Sequence, residues 1–171
     1  MPFDVTVAPQ GNGWLVTVDN HSATTLTNVK LALGDTLMDV GEFPANQAKS
    51  ISVTRSNSRS LEDFVTAYGG DFQQKVQSRR NALGSSERGQ ITDLPDASMA
   101  VSFVSLGVRS GPNENFSMTG GRDLANTVQH GGAVLLAWSD DYSPSKPMNQ
   151  FSPRRTHRYT LWRVPVKIPG S

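Results

Sequence analysis

The most constraining feature of the sequence is an alternation of apolar and polar residues between Gly13 and Leu33. Apolar residues recur at every second position in two runs, 14–18 and 29–33. A period of two places alternate side chains on opposite faces of a strand, one toward a core and one toward solvent. The residues between the runs, from Asp19 to Ser22, favour a turn. This segment predicts two strands of a β-sandwich, with Lys30 and Ala32 on the solvent side.

Composition sets broad limits on the function. The chain has 171 residues, 16 Lys and Arg against 15 Asp and Glu, and no cysteine. The balanced charge predicts no general attraction to nucleic acid or to acidic membranes. The absence of cysteine excludes thiol catalysis, cysteine-based zinc sites and iron–sulfur clusters. We expect a β-rich globular protein without a cofactor and without a membrane span in this chain.

Three more alternating runs in the first third of the chain predict strands at 3–7, 36–40 and 49–54. Pro9 closes the first of them. The glycines of Gly11-Asn12-Gly13 suggest a phosphate-binding loop, but the third glycine and the following helix are missing. The segment therefore predicts a hairpin turn.

Two sequence runs in this region resemble a known family. They are N-H-S-A-T-T-L-T-N-V-K-L-A-L, which starts at Asn20, and V-G-E-F-P-A-N-Q-A-K-S-I-S-V, which starts at Val40. Together they resemble the immunoglobulin-like repeats of bacterial surface and envelope proteins, of the CARDB kind. The resemblance covers Asp4 to Thr54. Asn46 stands where that family usually has glycine, and the usual closing strands do not follow.

The resemblance implies an immunoglobulin-like fold and a role in spacing, adhesion or partner binding. We therefore expect a non-enzymatic interaction or scaffold domain of a bacterial envelope protein, in the periplasm or on the cell surface. Its partner is expected to be a protein, with a carbohydrate or an anionic ligand as the alternative. The abrupt start, and the end in Pro169-Gly170-Ser171, lead us to expect a segment of a longer protein.

After Ser60 the apolar period changes from two residues to that of a helix. Leu61, Phe64, Val65 and Tyr68 form one apolar stripe, and Ser60 is a good N-cap. A second helical piece is expected from Asp71 to Gly84.

The rest of the chain predicts more strands. Met99 to Leu106 alternates and predicts a strand, whereas Asp123 predicts the cap of a short helix through Val128. The continuous apolar run 133–138 predicts a central strand that is covered on both faces. The last alternating run, 159–168, contains Pro165 and predicts an edge strand or a bulge.

These elements predict a mainly β fold: an immunoglobulin-like β-sandwich, then a helical segment and further strands. The later strands either complete the same sandwich or form a small α+β unit. We expect two packed units, at 1–56 and 57–171.

The loop from Ser139 to Arg158 is the most suggestive region for binding, because loops of this length inside compact domains are usually functional or disordered. Its candidate ligand-binding residues, with the flanking tryptophans, are Trp138, Asp140, Asp141, Tyr142, Arg154, Arg155, His157, Arg158 and Trp162. The arginines suit a phosphate, a sulfate or a carboxylate. Alternatively, Asp140 and Asp141 neutralise them.

The same region contains the residues for two other candidate sites, one for a sugar and one for calcium. Trp138, Tyr142 and Trp162 are candidates for a platform on which a sugar stacks, although tryptophan in an alternating strand is usually part of the core. Asp140 and Asp141 are candidates for a calcium site, but two adjacent carboxylates are too few and lack the spacing of an EF-hand.

Catalytic motifs are missing from the sequence. The three histidines, His21, His130 and His157, are scattered through predicted turns and loops, and no zinc-protease, nucleophile-elbow or P-loop pattern occurs. Ser139 or Ser143 with His157 and Asp140 would make a triad only if the fold placed them at the right distances. We expect no enzymatic activity and no metal.

Overall fold

The computed structural model describes residues 2–69, 93–107, 123–140 and 159–168. The strands are β1 (Phe3–Gln10), β2 (Gly13–Asn20), β3 (Leu26–Leu33), β4 (Thr36–Phe43), β5 (Gln47–Thr54), β6 (Ser58–Ser60), β7 (Ala133–Asp140) and β8 (Tyr159–Val166). The helices are α1 (61–69), α2 (Leu94–Ala100), α3 (Val104–Gly107) and α4 (Ala125–Gln129). Short 3-10 turns lie at Arg55–Asn57 and Val101–Phe103.

The strands form two antiparallel sheets. One sheet has the order β1-β2-β5 and the other has the order β6-β4-β3-β7-β8. The chain crosses from the first sheet to the second between β2 and β3, and it returns between β4 and β5. The prediction of a mainly β, sandwich-like fold is confirmed.

The five-stranded sheet is the middle of three layers. Along β7, Ala133, Leu135 and Ala137 join the core shared with the three-stranded sheet. The alternate residues Val134, Leu136 and Trp138 join a second core shared with the helices. Because both faces of β7 are covered, its sequence is apolar throughout. The prediction of a central strand at 133–138 is confirmed.

Strands from both halves of the sequence pair within this middle sheet. β7 pairs with β3, and β8 pairs with β7 along the whole of its length. The sequence left open whether the later strands complete the first sandwich or form a small α+β unit. The pairing of β7 with β3 corresponds to the first of these arrangements. That residues 1–56 and 57–171 form two packed units stays a prediction.

The strand expected at 99–106 is wrong, because these residues are helical. Asp93 caps α2 by accepting a hydrogen bond from the amide of Asp96, and Pro95 occupies the first turn. Met99, Ala100 and Phe103 are buried together against the middle sheet. These three residues are one and four positions apart, which is the spacing of a helix face. The neighbouring Val101 and Val104 made the sequence look like a strand, because β-branched residues are typical of strands.

The prediction that Lys30 and Ala32 face solvent is also wrong. Lys30 is only 4% exposed and Ala32 is fully buried, because the helices cover this face of β3. The Lys30 ammonium lies 2.5 Å from a carboxylate oxygen of Asp39 and 3.3 Å from one of Asp96. Arg59 lies 3.4 Å from the other oxygen of Asp96. This cluster of opposite charges compensates the burial of the lysine.

Asn20, which is fully buried, joins the crossing between β2 and β3 to the crossing between β4 and β5. Its amide nitrogen donates to the carbonyl oxygens of Thr24 and Pro44, and its amide oxygen accepts from the amide and hydroxyl of Ser22. The backbone amide of Asn46 donates to the carbonyl of Ser22. Residues expected to form a simple turn thus join both crossings.

Two further expectations are confirmed. Residues 61–69 are helical, and the Ser60 hydroxyl accepts a hydrogen bond from the amide of Asp63. β8, which contains Pro165, is at the edge of the described sheet. The second helical piece expected at 71–84 lies outside the described residues. Within the residues that the structure describes, no helix is long and apolar enough to cross a membrane.

Candidate functional site

Three of the predicted ligand-binding residues lie within the described part of the structure: Trp138, Asp140 and Trp162. The other six, Asp141, Tyr142, Arg154, Arg155, His157 and Arg158, lie outside it, as does Ser143. The pairing of those arginines with the two aspartates therefore stays a prediction.

Trp138 lies near the end of β7, and its side chain belongs to the core shared with the helices. It is 6% exposed, its indole nitrogen donates to Asp140 at 2.9 Å, and its ring stacks on Tyr159 with a centroid distance of 5.3 Å. Tyr159 is 48% exposed. Of these two rings, only that of Tyr159 is therefore accessible to a ligand.

Trp162 lies on the opposite face of the same sheet. Its indole nitrogen donates to the buried Ser139 hydroxyl at 3.0 Å, and its ring meets the edge of Phe3 at a centroid distance of 5.3 Å. Trp138 and Trp162 belong to different cores, so they do not form one platform for a sugar. Ser139 and Asp140 bond to these two tryptophans on opposite faces, so a triad containing both does not assemble.

The predicted calcium site would use Asp140 and Asp141, and Asp141 lies outside the described residues. Asp140 accepts its hydrogen bond from Trp138. Within residues 2–69, 93–107, 123–140 and 159–168, no three side chains of His, Asp or Glu are close enough to hold a metal ion.

A cavity that the sequence did not indicate opens at one end of the three-stranded sheet. Its volume is about 680 Å³, and its lining comes from three strand ends, namely Pro9, Gly11, Asn12, Gly13, Trp14, Thr54, Arg55 and Ser56. We call this cavity the strand-end groove. Its size is within the range of small-molecule sites, about 300–1,000 Å³.

The hairpin between β1 and β2 shapes one side of the strand-end groove. Gly11 has φ +55°, a conformation that a two-residue hairpin turn requires and that glycine adopts without strain. Gly13 is buried against β5, where an added Cβ would lie 2.0 Å from the carbonyl oxygen of Val53. The missing side chain at Gly13 thus allows β2 and β5 to approach each other here.

Trp14 and Pro9 are opposite each other on β2 and β1 and give the groove an apolar wall. The Trp14 indole nitrogen is buried and has no hydrogen-bond partner among the residues that the structure describes. Because the nitrogen is covered, the indole offers a ligand its carbon surface rather than its N–H group.

The polar part of the groove is formed by Thr54, Arg55 and Ser56. The two hydroxyls share a hydrogen bond of 2.8 Å, and the Arg55 side chain is exposed. None of the described acidic residues forms an ion pair with Arg55, whereas Lys30 and Arg59 are both paired. Among the described residues, the groove lining contains one cation and no carboxylate, so this lining has the electrostatics of an anion site.

A second cavity of about 450 Å³ lies between the turn from β3 to β4 and the helices. Asp35 and Glu62 contribute to its lining, and no cation is among the described residues that line it. The groove is therefore the better candidate for the anionic ligand that the sequence suggested.

The sequence contained the parts of the strand-end groove but not their proximity. The hairpin at 11–12 was predicted, and the arginine directly follows the strand predicted at 49–54. Trp14 and Arg55 become neighbours only through the register in which Gly13 pairs with Thr54. A sequence pattern does not specify that register.

Comparisons with curated proteins and with solved structures gave no match. A family model matches residues 2–169, nearly the whole chain. The resemblance of residues 4–54 to CARDB-like repeats stays a prediction. The chain belongs to the family described as Domain of unknown function (DUF8725).

Proposed function

We propose that this protein is a non-enzymatic binding module, an interaction domain of a bacterial envelope protein, and that it binds its partner in the strand-end groove. The observation on which this proposal rests is that Arg55 is exposed, forms no ion pair among the described residues and lies beside the apolar wall of Trp14 and Pro9. A mostly apolar cavity with a few convergent polar groups is the usual form of a ligand site.

The chemistry of the lining favours binding over catalysis. In the part of the chain that the structure describes, the side chains that line the groove carry hydroxyl, amide, indole and guanidinium groups, and no imidazole or carboxylate is among them. A general base usually comes from histidine or from a carboxylate. This composition suits recognition, in which an arginine selects the charge of the ligand and an aromatic wall contacts its apolar part.

The location at the bacterial envelope and the scaffold role are supported by the resemblance to CARDB-like repeats. Asn46, at the position where that family usually has glycine, has φ +52°. Asparagine and glycine are the residues that tolerate this left-handed conformation best. The substitution is therefore compatible with the turn that the family motif implies.

The alternative is a carbohydrate or anion site in the predicted loop at 139–158, of which Ser139 and Asp140 belong to β7. One observation favours it: Tyr159, the first residue of β8, is 48% exposed while it stacks on Trp138. An exposed aromatic ring beside an acidic side chain, here Asp140, is a surface on which a sugar ring can pack.

A thermal-shift screen tests the proposed function. The panel contains neutral oligosaccharides, acidic oligosaccharides, acidic peptides, polyanions and Ca²⁺. A ligand at one hundred times its Kd stabilises the fold by about 2.7 kcal/mol, which for a domain of this size raises Tm by roughly 5–10 °C. We expect at least one anionic class to raise Tm.

The matched variants are Arg55→Gln and Lys49→Gln. Both remove one positive charge, and Lys49 lies on β5 about 17 Å from Thr54 along the strand. We expect the shift to disappear in Arg55→Gln and to persist in Lys49→Gln. The proposal is wrong if no class raises Tm, or if every shift persists in Arg55→Gln.

A further inference from the structure

We infer that the ligand of the strand-end groove is an acidic carbohydrate whose uronic acid carboxylate pairs with Arg55 while its ring packs on Trp14. This inference rests on the proposed function, because it names the ligand class of the same groove. It depends on the charge of the groove, on its apolar wall, on its small polar groups and on its position at the strand ends.

The charge of the groove selects a carboxylate or a similar anion. Arg55 is the single charged side chain in the described lining, and it is exposed. A guanidinium group binds a planar carboxylate through two parallel hydrogen bonds, which gives geometric specificity as well as affinity.

The apolar wall selects a ligand with a flat apolar face beside that carboxylate. Trp14 and Pro9 pair directly across β1 and β2. A hexuronate has such a face, formed by the C–H groups of its ring, and its carboxylate extends from the ring edge. A free inorganic anion would use Arg55 and leave this wall without a contact.

The remaining side chains match hydroxyl groups. Asn12, Thr54 and Ser56 line the groove and are exposed. Hydroxyl and amide side chains both donate and accept hydrogen bonds, as sugar hydroxyls do. The volume of about 680 Å³ accommodates a short oligosaccharide.

The position of the groove argues against an acidic peptide. A peptide usually binds to a sheet by adding a strand along an exposed edge. This groove instead crosses the ends of β1, β2 and β5, and its lining includes Pro9, which has no amide hydrogen to donate. An acidic peptide therefore finds few backbone partners here.

Isothermal titration calorimetry of the full chain tests the inference with three probes: trigalacturonic acid, its methyl ester and a triglutamate peptide. We expect trigalacturonic acid to bind the unchanged protein and Lys49→Gln equally. We expect binding about 10- to 100-fold weaker for Arg55→Gln and for the methyl ester, because each removes a charge-assisted hydrogen-bonded pair.

Substitutions of Trp14 test the apolar wall. Because the indole nitrogen is buried, Trp14→Phe should bind trigalacturonic acid within about threefold of the unchanged protein, which is less than one tenfold step. Trp14→Ala should no longer bind trigalacturonic acid. A cooperative unfolding transition checks that this variant folds. If Trp14→Ala does not fold, the Phe variant and the methyl ester still decide the question.

Three results would overturn the inference: no binding of trigalacturonic acid at millimolar concentration, equal binding of the acid and its methyl ester, or unchanged binding in Arg55→Gln. Binding of the triglutamate peptide alone, sensitive to Arg55→Gln, would overturn the acidic carbohydrate and leave the proposed binding function standing. A screen in which no ligand class raises Tm contradicts both.

Discussion

The ammonium group of Lys30 lies 3.3 Å from a carboxylate oxygen of Asp96, and both side chains are less than 10% exposed. The pair joins the middle sheet to the first turn of α2. The Asp96 carboxylate also accepts hydrogen bonds from Asn28 and Arg59. The helical layer is thus attached to the sheet by a buried ionic contact as well as by its apolar side chains.

Replacement of Asp96 by Asn should destabilise the fold by about 3 kcal/mol, since the loss of one partner leaves a buried cation without full compensation. Asp39→Asn is the matched control. Asp39 contacts the same lysine but is 64% exposed, so its loss should cost less than about 1 kcal/mol. Urea unfolding measures both changes, and equal losses would contradict the role assigned to the buried pair.

Removal of the Asn20 side chain should loosen the crossing between β2 and β3 and the crossing between β4 and β5. Asn20→Ala leaves several buried polar groups without partners, and each costs about 1–3 kcal/mol, so we expect a loss of at least about 3 kcal/mol. Thr17→Ala removes an exposed hydrogen bond to Ser50 and should cost about 1 kcal/mol or less. Denaturant midpoints compare the two variants, and a loss near 1 kcal/mol for Asn20→Ala would refute the prediction.

Gly13→Ala should separate β2 from β5, because the new Cβ would lie 2.0 Å from the Val53 carbonyl oxygen. We expect a loss of about 3 kcal/mol, at the upper end of overpacking costs. Gly34→Ala is the control: Gly34 has φ +59° but open space around it, so it tests conformational strain alone, about 1–2 kcal/mol. Thermal unfolding should rank Gly13→Ala as the less stable variant.

The two candidate anion sites make opposite predictions for Arg154→Ala/Arg155→Ala. If the predicted loop at 139–158 binds the anion, this double variant abolishes the ligand-induced shift in Tm, and Arg55→Gln has no effect. We expect the reverse, since Arg55 is exposed, unpaired among the described residues and beside an apolar wall. The same thermal-shift assay, run on both variants with one acidic oligosaccharide, decides between the sites.

Local patterns in the sequence predicted much of this protein. Residues that alternate along a strand reveal its period whatever its neighbours are, and so the strands that start at Phe3, Gly13 and Ala133 were predicted. Ser60 identified the start of α1 because an N-cap acts on its own helix. The apolar run 133–138 also indicated that two layers cover its strand.

Tertiary structure decided the features that depend on what covers a face or which strands are neighbours. Helices bury Lys30, and residues 99–106 are helical because they cover the middle sheet. Trp138 and Trp162 look equivalent in the sequence, but the pleat places them in different cores. Trp14 and Arg55, 41 positions apart, line one groove because β5 pairs with β2 in one register. Such pairings between distant residues depend on the packing of the whole chain, which no local pattern specifies.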